Sequence, residues 1–207
     1  MMQKAKNVEE YIAMQRASVA SNPDCGTSHY NLAVGLIGQR KFDEAERELH
    51  AAIDCSPNIA EAYVQLGGIC LQHGDLDGCL EYNKQATKAR AGFFEGYGNI
   101  GFVHLQRGEA EEAIAALKKA ISFNCKFIQA HSTLASAYLM SGLIDESIKA
   151  NLKVIELDPN FAVAYNNLAI AYLEKGEYDK AVENCDKAIK LGYEVAPEIL
   201  KEIDTHR

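Results

Sequence analysis

Six cysteines and six histidines are the side chains of this 207-residue chain best able to bind a metal or attack a substrate. Their spacing argues against both uses. No CxxC pair and no Cys/His set with metal-ligand spacing occurs. An even cysteine count permits a disulfide framework, which belongs to secreted chains. Met1–Asn22 instead carries Lys4, Lys6, Glu9, Glu10 and Arg16 where a secretory signal needs an apolar run, so reduced thiols and a cytoplasmic address are expected. His29 and His131 lie three sequence periods apart, too far to share an ion, and His104 reads as a packing residue. No G-x-S-x-G, P-loop or G-x-G-x-x-G motif is present, and Gly96-Tyr97-Gly98 falls inside a helical pattern, the wrong setting for phosphate. These residues point to no catalysis and no cofactor.

Amides suited to a different chemistry recur at one interval. Asn31, Gln65, Asn99 and Asn167, with Thr133 between the last two, are spaced by 34 residues or a multiple of it. Asn and Gln side chains both donate and accept, so such a row can bond the C=O and N–H groups of an extended peptide. The alternative is that the amides only orient the helices that carry them.

The elements behind the row follow from the same interval. The tripeptides Asn31-Leu32-Ala33, Gln65-Leu66-Gly67, Asn99-Ile100-Gly101, Thr133-Leu134-Ala135 and Asn167-Leu168-Ala169 step by 34 residues without insertion. Units therefore begin at Gly26, Ala60, Phe94, Ile128 and Ala162. Small residues fill the eighth, twentieth and, save Val154, twenty-seventh positions of every unit, which lets two helix backbones approach closely. Glycine stands at the fifteenth position in four units, as Gly74, Gly108, Gly142 and Gly176, ready to end a helix in the left-handed conformation. Pro57 and Pro159 stop the second helix from running into the next unit. Cys55 shares the thirtieth position with Ala89, Phe123, Leu157 and Leu191 and is expected in the core. Cys70, Cys79 and Cys185 are expected to pack, while Cys25 and Cys125 lie near links between units. Asn83 and Asn151 take the place of large apolar residues at the twenty-fourth position, either exposed or bonded locally.

This 34-residue pattern resembles the tetratricopeptide repeat (TPR) family over roughly Gly26–Tyr193. The resemblance implies an all-α fold, a right-handed superhelical α-solenoid of helix-turn-helix units with a capping helix at each end. The expected divisions are 1–25 for an N-terminal cap and link, 26–193 for the repeats (units 26–59, 60–93, 94–127, 128–161 and 162–195), and 196–207 for a C-terminal cap. The N-terminal helix is expected over Lys6–Ala20 and the C-terminal one over Ala196–Thr205.

In the family the first helices line a concave groove, which implies that unit positions 2, 5, 6, 9, 12 and 13 face a ligand. Transferred here, that set gives Tyr30, Asn31, Val34, Glu61, Gln65, Leu71, Glu95, Asn99, Phe102, Met140, Asn167 and Ile170 as peptide-binding residues. Tyr30, Phe102 and Met140 are either anchors for ligand side chains or members of the core. Glu61, Glu95 and Glu174 make the groove mildly negative, favouring a neutral or basic ligand over an acidic one. The clamp that some members use for chaperone C-terminal carboxylates needs lysine, asparagine and arginine at places held here by Tyr30, Val34, Glu95 and Asn99. A formal net charge of −8 disfavours nucleic acid and anionic membrane as partners. The expected function is a scaffold for a partner protein's peptide or helix, with self-assembly into a homo-oligomer as the alternative.

Overall fold

The computed structural model describes residues 7–207, so Lys4 and Lys6, including the expected first residue of the N-terminal helix, lie outside the described residues. All regular structure among them is helical. In order the helices are α1 (Val8–Ser21), α2 (Gly26–Gly38), α3 (Phe42–Cys55), α4 (Ala60–Gln72), α5 (Leu76–Ala89), α6 (Phe94–Gln106), α7 (Ala110–Phe123), α8 (Ile128–Met140), α9 (Ile144–Leu157), α10 (Ala162–Lys175), α11 (Tyr178–Lys190) and α12 (Pro197–Asp204). The chain divides into two compact units, one ending at Gly96 and the other covering Tyr97–Arg207.

The first helix of each repeat stops for a local reason. At the corner between the two helices of a repeat, a backbone N–H reaches back five residues: Asp75 to Cys70, Glu109 to His104, Leu143 to Tyr138 and Glu177 to Tyr172, each at 2.9 Å. Gly74, Gly108, Gly142 and Gly176 turn each of these corners at φ between 70° and 77°. This is the Schellman arrangement, in which a left-handed residue lets orphan carbonyls find donors. The first repeat makes the same corner, with Lys41 N–H on the Leu36 carbonyl at 3.0 Å, but its left-handed residue is Arg40 at φ 59°. A side chain in that conformation costs about 1 kcal/mol that glycine avoids.

In the first unit α1 through α5 pack as consecutive neighbours. Ala33, Ala45 and Ala52 are fully buried, and Leu32, Leu36, Leu49 and Leu66 fill the space between the close backbones. In the second unit α7 through α12 pack in sequence, and α8 also meets α10. Here Ala113, Ala120, Ala135, Ala169, Ala181 and Ala188 are buried at the matching small-residue positions. The last helix, α12, starts with Pro197 at its first turn and buries Ile203 against Ala181, Cys185 and Ala188. The Tyr178 and His206 rings stack, and Arg207 pairs with Asp186 and Asp204.

The links between repeats are tied by a side chain four residues into the following repeat. His29 Nε2 donates to the Pro23 carbonyl at 2.8 Å, His131 Nε2 to the Cys125 carbonyl at 3.0 Å, and the Tyr165 hydroxyl to the Pro159 carbonyl at 3.0 Å. His29 Nδ1 also meets Glu48 Oε2 at 2.6 Å. With both ring nitrogens facing acceptors, the protonated imidazolium is favoured. Burial opposes this, but the bonds to Glu48 and Pro23 prevail and raise the His29 pKa.

One sequence expectation changes, and an open alternative is decided. Cys55 is exposed rather than core, because the thirtieth position is the last residue of α3 and its thiol turns toward the link, 3.8 Å from the Pro23 carbonyl. Asn83 and Asn151 are fully buried and bond locally: each Nδ2 donates to the carbonyl one helical turn back, Cys79 at 2.8 Å and Ser147 at 3.1 Å. Asn83 fills the room left by Gly67, where a Cβ would stand 2.6 Å from its Nδ2. Asn151 Oδ1 and Ser147 Oγ are buried without hydrogen-bond partners among the described residues.

Candidate functional site

The first unit holds Tyr30, Asn31, Val34, Glu61, Gln65, Leu71 and Glu95 of the expected ligand set. All are half-buried except Val34, which is exposed. Tyr30 and Asn31 come from the first turns of α2, and Glu61 and Gln65 from the first half of α4. Tyr30 packs on the core, its hydroxyl meets the Gln65 side chain, and Glu61 lies nearby. Burial and the Glu61 charge push the Tyr30 phenol above its usual range, against the bond to Gln65. Tyr30 is thus both a core contact and part of a polar group on the face. Arg90, which no sequence reading selected, donates to Glu61 at 2.5 Å. Burial works to raise the Glu61 carboxyl, but the bond from Arg90 outweighs it and holds the group below its usual pKa. Much of the negative charge expected from Glu61 is therefore answered inside the chain. Glu95 differs: its Oε2 is buried with no hydrogen-bond partner among the described residues. Leu71 stands on α4 toward the opposite end from Glu61.

A cavity of about 310 Å³ opens in the same unit beside Gln65, lined by Ile37, Arg40, Phe42, Gly68, Ile69 and Gln72 as well. Its volume matches the lower end of small-ligand sites. A second cavity of about 390 Å³ shares Arg40 and Phe42 and adds Lys41, Asp43, Glu44, Arg47 and His73. The Phe42 and His73 rings meet edge to face, centroids 6.1 Å apart. Neither cavity was anticipated. The available signal was Arg40 in the place that glycine fills in the other four repeats.

The second unit holds Asn99, Phe102, Met140, Asn167 and Ile170. Asn99, Phe102, Asn167 and Ile170 are half-buried, and Met140, at the last position of α8, is 54% exposed. Asn167 of α10 donates to Ser136 Oγ of α8 at 3.4 Å, so this amide ties two first helices while remaining half-open. Thr133 bonds its own helix, donating to the Gln129 carbonyl at 2.8 Å. Among the described residues no cluster of three or more His, Cys, Asp or Glu has metal-binding geometry, and no helix is long and apolar enough to cross a membrane.

Three family models described as tetratricopeptide repeat match residues 30–93, 94–124 and 150–183, together more than half of the chain. A search of curated proteins gives no match. Among solved structures, MamA is 28% identical, with a TM-score of 0.69 over 78% of this chain and 94% of its own. YrrB, whose structure is described as a TPR protein with an unusual peptide-binding site, is 20% identical, with a TM-score of 0.71 over 92% of this chain and 96% of its own. PilF of Pseudomonas aeruginosa is 15% identical, with a TM-score of 0.83 over 97% and 90%. The YrrB and PilF likenesses concern the fold alone.

Proposed function

The chain belongs to the tetratricopeptide repeat family, and we propose that it holds a segment of a partner protein against its first helices without catalysing a reaction. The observation that carries this is the amide row. Asn31 and Gln65 in the first unit, and Asn99 and Asn167 in the second, share one position of the first helix of their repeats, and each is half-buried. Such groups recognise main chain, which suits an extended peptide or the exposed end of a helix. Glu95 adds a preference. A half-buried carboxylate disfavours a ligand that brings a second negative charge to it, so a neutral or basic stretch suits that end. All six cysteines are free thiols, in keeping with a reducing, cytoplasmic address.

Partners captured by the purified chain, identified by mass spectrometry, should be lost when Asn99 and Asn167 are both replaced by alanine while helicity is retained. Unchanged affinity in that double variant would remove the amide row from the site. The rival reading is self-assembly, favoured by Leu152 and Ile189, exposed apolar side chains on second helices. Light scattering that reports a monomer across a concentration series would reject it.

A further inference from the structure

Among the described residues, every glycine inside a helix has a reason to lack a side chain, with one exception. A Cβ on Gly35 would strike Ile12, on Gly67 Asn83, on Gly96 Thr87, on Gly98 Phe127 and on Gly101 Leu117, all within 3.0 Å. Gly26 and Gly78 are crowded in the same way. Gly68, in the middle of α4, has nothing within 4 Å of where its Cβ would be; Gly38 shares this openness but ends its helix. The other four repeats place Val34, Phe102, Ser136 and Ile170 where Gly68 stands. Glycine lowers helix stability, and here packing offers no compensation.

Arg40 is the second locally unfavourable choice, a side chain in a left-handed corner that four sister repeats give to glycine. Gly68 and Arg40 line the same cavity. Two residues that each work against the fold and meet at one opening are the mark of a site kept for binding. Its apolar lining comes from Ile37, Phe42 and Ile69, and its polar lining from Gln65, Gln72 and Arg40. Arg40 forms no ion pair or side-chain hydrogen bond in the described chain. Lys41 and Arg47 line the adjoining cavity with it; of the acids there, Glu44 is already taken by Arg16 at 2.6 Å, leaving Asp43. Arg40, Lys41 and Arg47 against Asp43 and the Arg16-paired Glu44 leave this corner locally positive on a chain of net charge −8.

We propose that this cavity is a side-chain pocket for a partner segment in which an apolar residue is followed directly by Asp or Glu. The apolar group takes the space Gly68 leaves open, and the carboxylate pairs with Arg40. The inference rests on the reading of the chain as a peptide holder but not on the rest of the amide row. Gln65 belongs to both, so the segment continues from the row into the pocket, with its acidic residue at the corner end of α4. This is not the family's carboxylate clamp, whose places hold Tyr30, Val34, Glu95 and Asn99.

The test is an NMR titration of the full-length 15N-labelled chain with three capped peptides, acetyl-Ala-Leu-Glu-Ala-amide and its Gln and Lys counterparts. The Glu peptide should shift the amides of Arg40, Gly68, Ile69 and Gln72 and bind about five-fold more tightly than the Gln peptide, the gain of one exposed ion pair. The Lys peptide should be weakest. Gly68→Leu should abolish these shifts while the Tm stays level or rises, because the added side chain meets no atom and favours helix. Gly68→Ala should weaken them partially. Arg40→Gly should make the Glu and Gln peptides equal. Equal affinity for all three peptides, or undiminished Glu-peptide binding to Gly68→Leu, would overturn the pocket. The Asn99/Asn167 double alanine variant should keep the Glu-peptide shifts, so loss of the captured partner there with the pocket intact reports on the amide row alone.

Discussion

Replacing Asn151 with leucine should make the protein more stable, although it removes a hydrogen bond. Asn151 is fully buried on α9, its Nδ2 donates to the Ser147 carbonyl, and its Oδ1 has no partner among the described residues. A buried acceptor left unpaired costs about 1–3 kcal/mol, and the substitution removes it. Burying a leucine side chain contributes a further ~1.5–3 kcal/mol. Against these stand about 1–3 kcal/mol for fitting the added volume and about 1 kcal/mol for the lost bond to Ser147. The first repeat shows that the fit exists, since Leu49 is fully buried at the same position opposite Ala33, and Ala135 is the matching residue opposite Asn151. The balance is a gain of about 1 kcal/mol, or about 4 °C in Tm for a unit of this size. Urea titrations and thermal melts followed by circular dichroism would measure it. A lowered Tm for Asn151→Leu, together with a loss of about 2 kcal/mol or more for Asn151→Ala, would mean that Oδ1 is satisfied and the reasoning wrong.

Three further outcomes follow from individual residues. Arg40→Gly should exceed Arg40→Ala in stability by about 1 kcal/mol, since only glycine relieves the left-handed corner, and Gly74→Ala should lose a similar amount in thermal melts. His29 has a raised pKa, so its contribution is fully present below its ordinary value near 6.5 and disappears as pH rises through the higher folded-state value; the advantage of the wild type over His29→Gln in urea midpoint should shrink across that window. Iodoacetamide labelling read by mass spectrometry should modify Cys55 and Cys125 before Cys79 and Cys185, and should modify Cys25 at lower pH than an ordinary thiol because hydrogen bonds from Ser28 stabilise its thiolate.

The repeat was legible because its determinants are local. A small residue at a helix crossing or a glycine at a corner declares itself by type, and Gly74, Gly108, Gly142 and Gly176 all adopt the conformation their spacing predicts. The burial of Cys55 was misread because an apolar series at one position averages over residues that end a helix, where Phe123 is half exposed as well. The fate of Asn83 and Asn151 depended on what faced them across the hairpin, which their own type does not reveal. Arg90 was invisible as a partner of Glu61, because 29 residues separate them and neither belongs to a motif. Gly68 departs from Val34, Phe102, Ser136 and Ile170 at its position, but the sequence does not reveal the empty space at its Cβ, which separates it from the crowded Gly67 beside it.

The corner bonds at Arg40, Gly74, Gly108, Gly142 and Gly176 agree to within about a tenth of an ångström. Such interchangeable joints make the molecule editable in quanta. Unequal recombination that excised residues 128–161 would splice Phe127 to Ala162, the residue that already follows the equivalent Phe161, and leave the next corner with its usual neighbours. Lineages of this architecture are free to lengthen or shorten by whole modules, whereas a loss of any other length must first repair the phase.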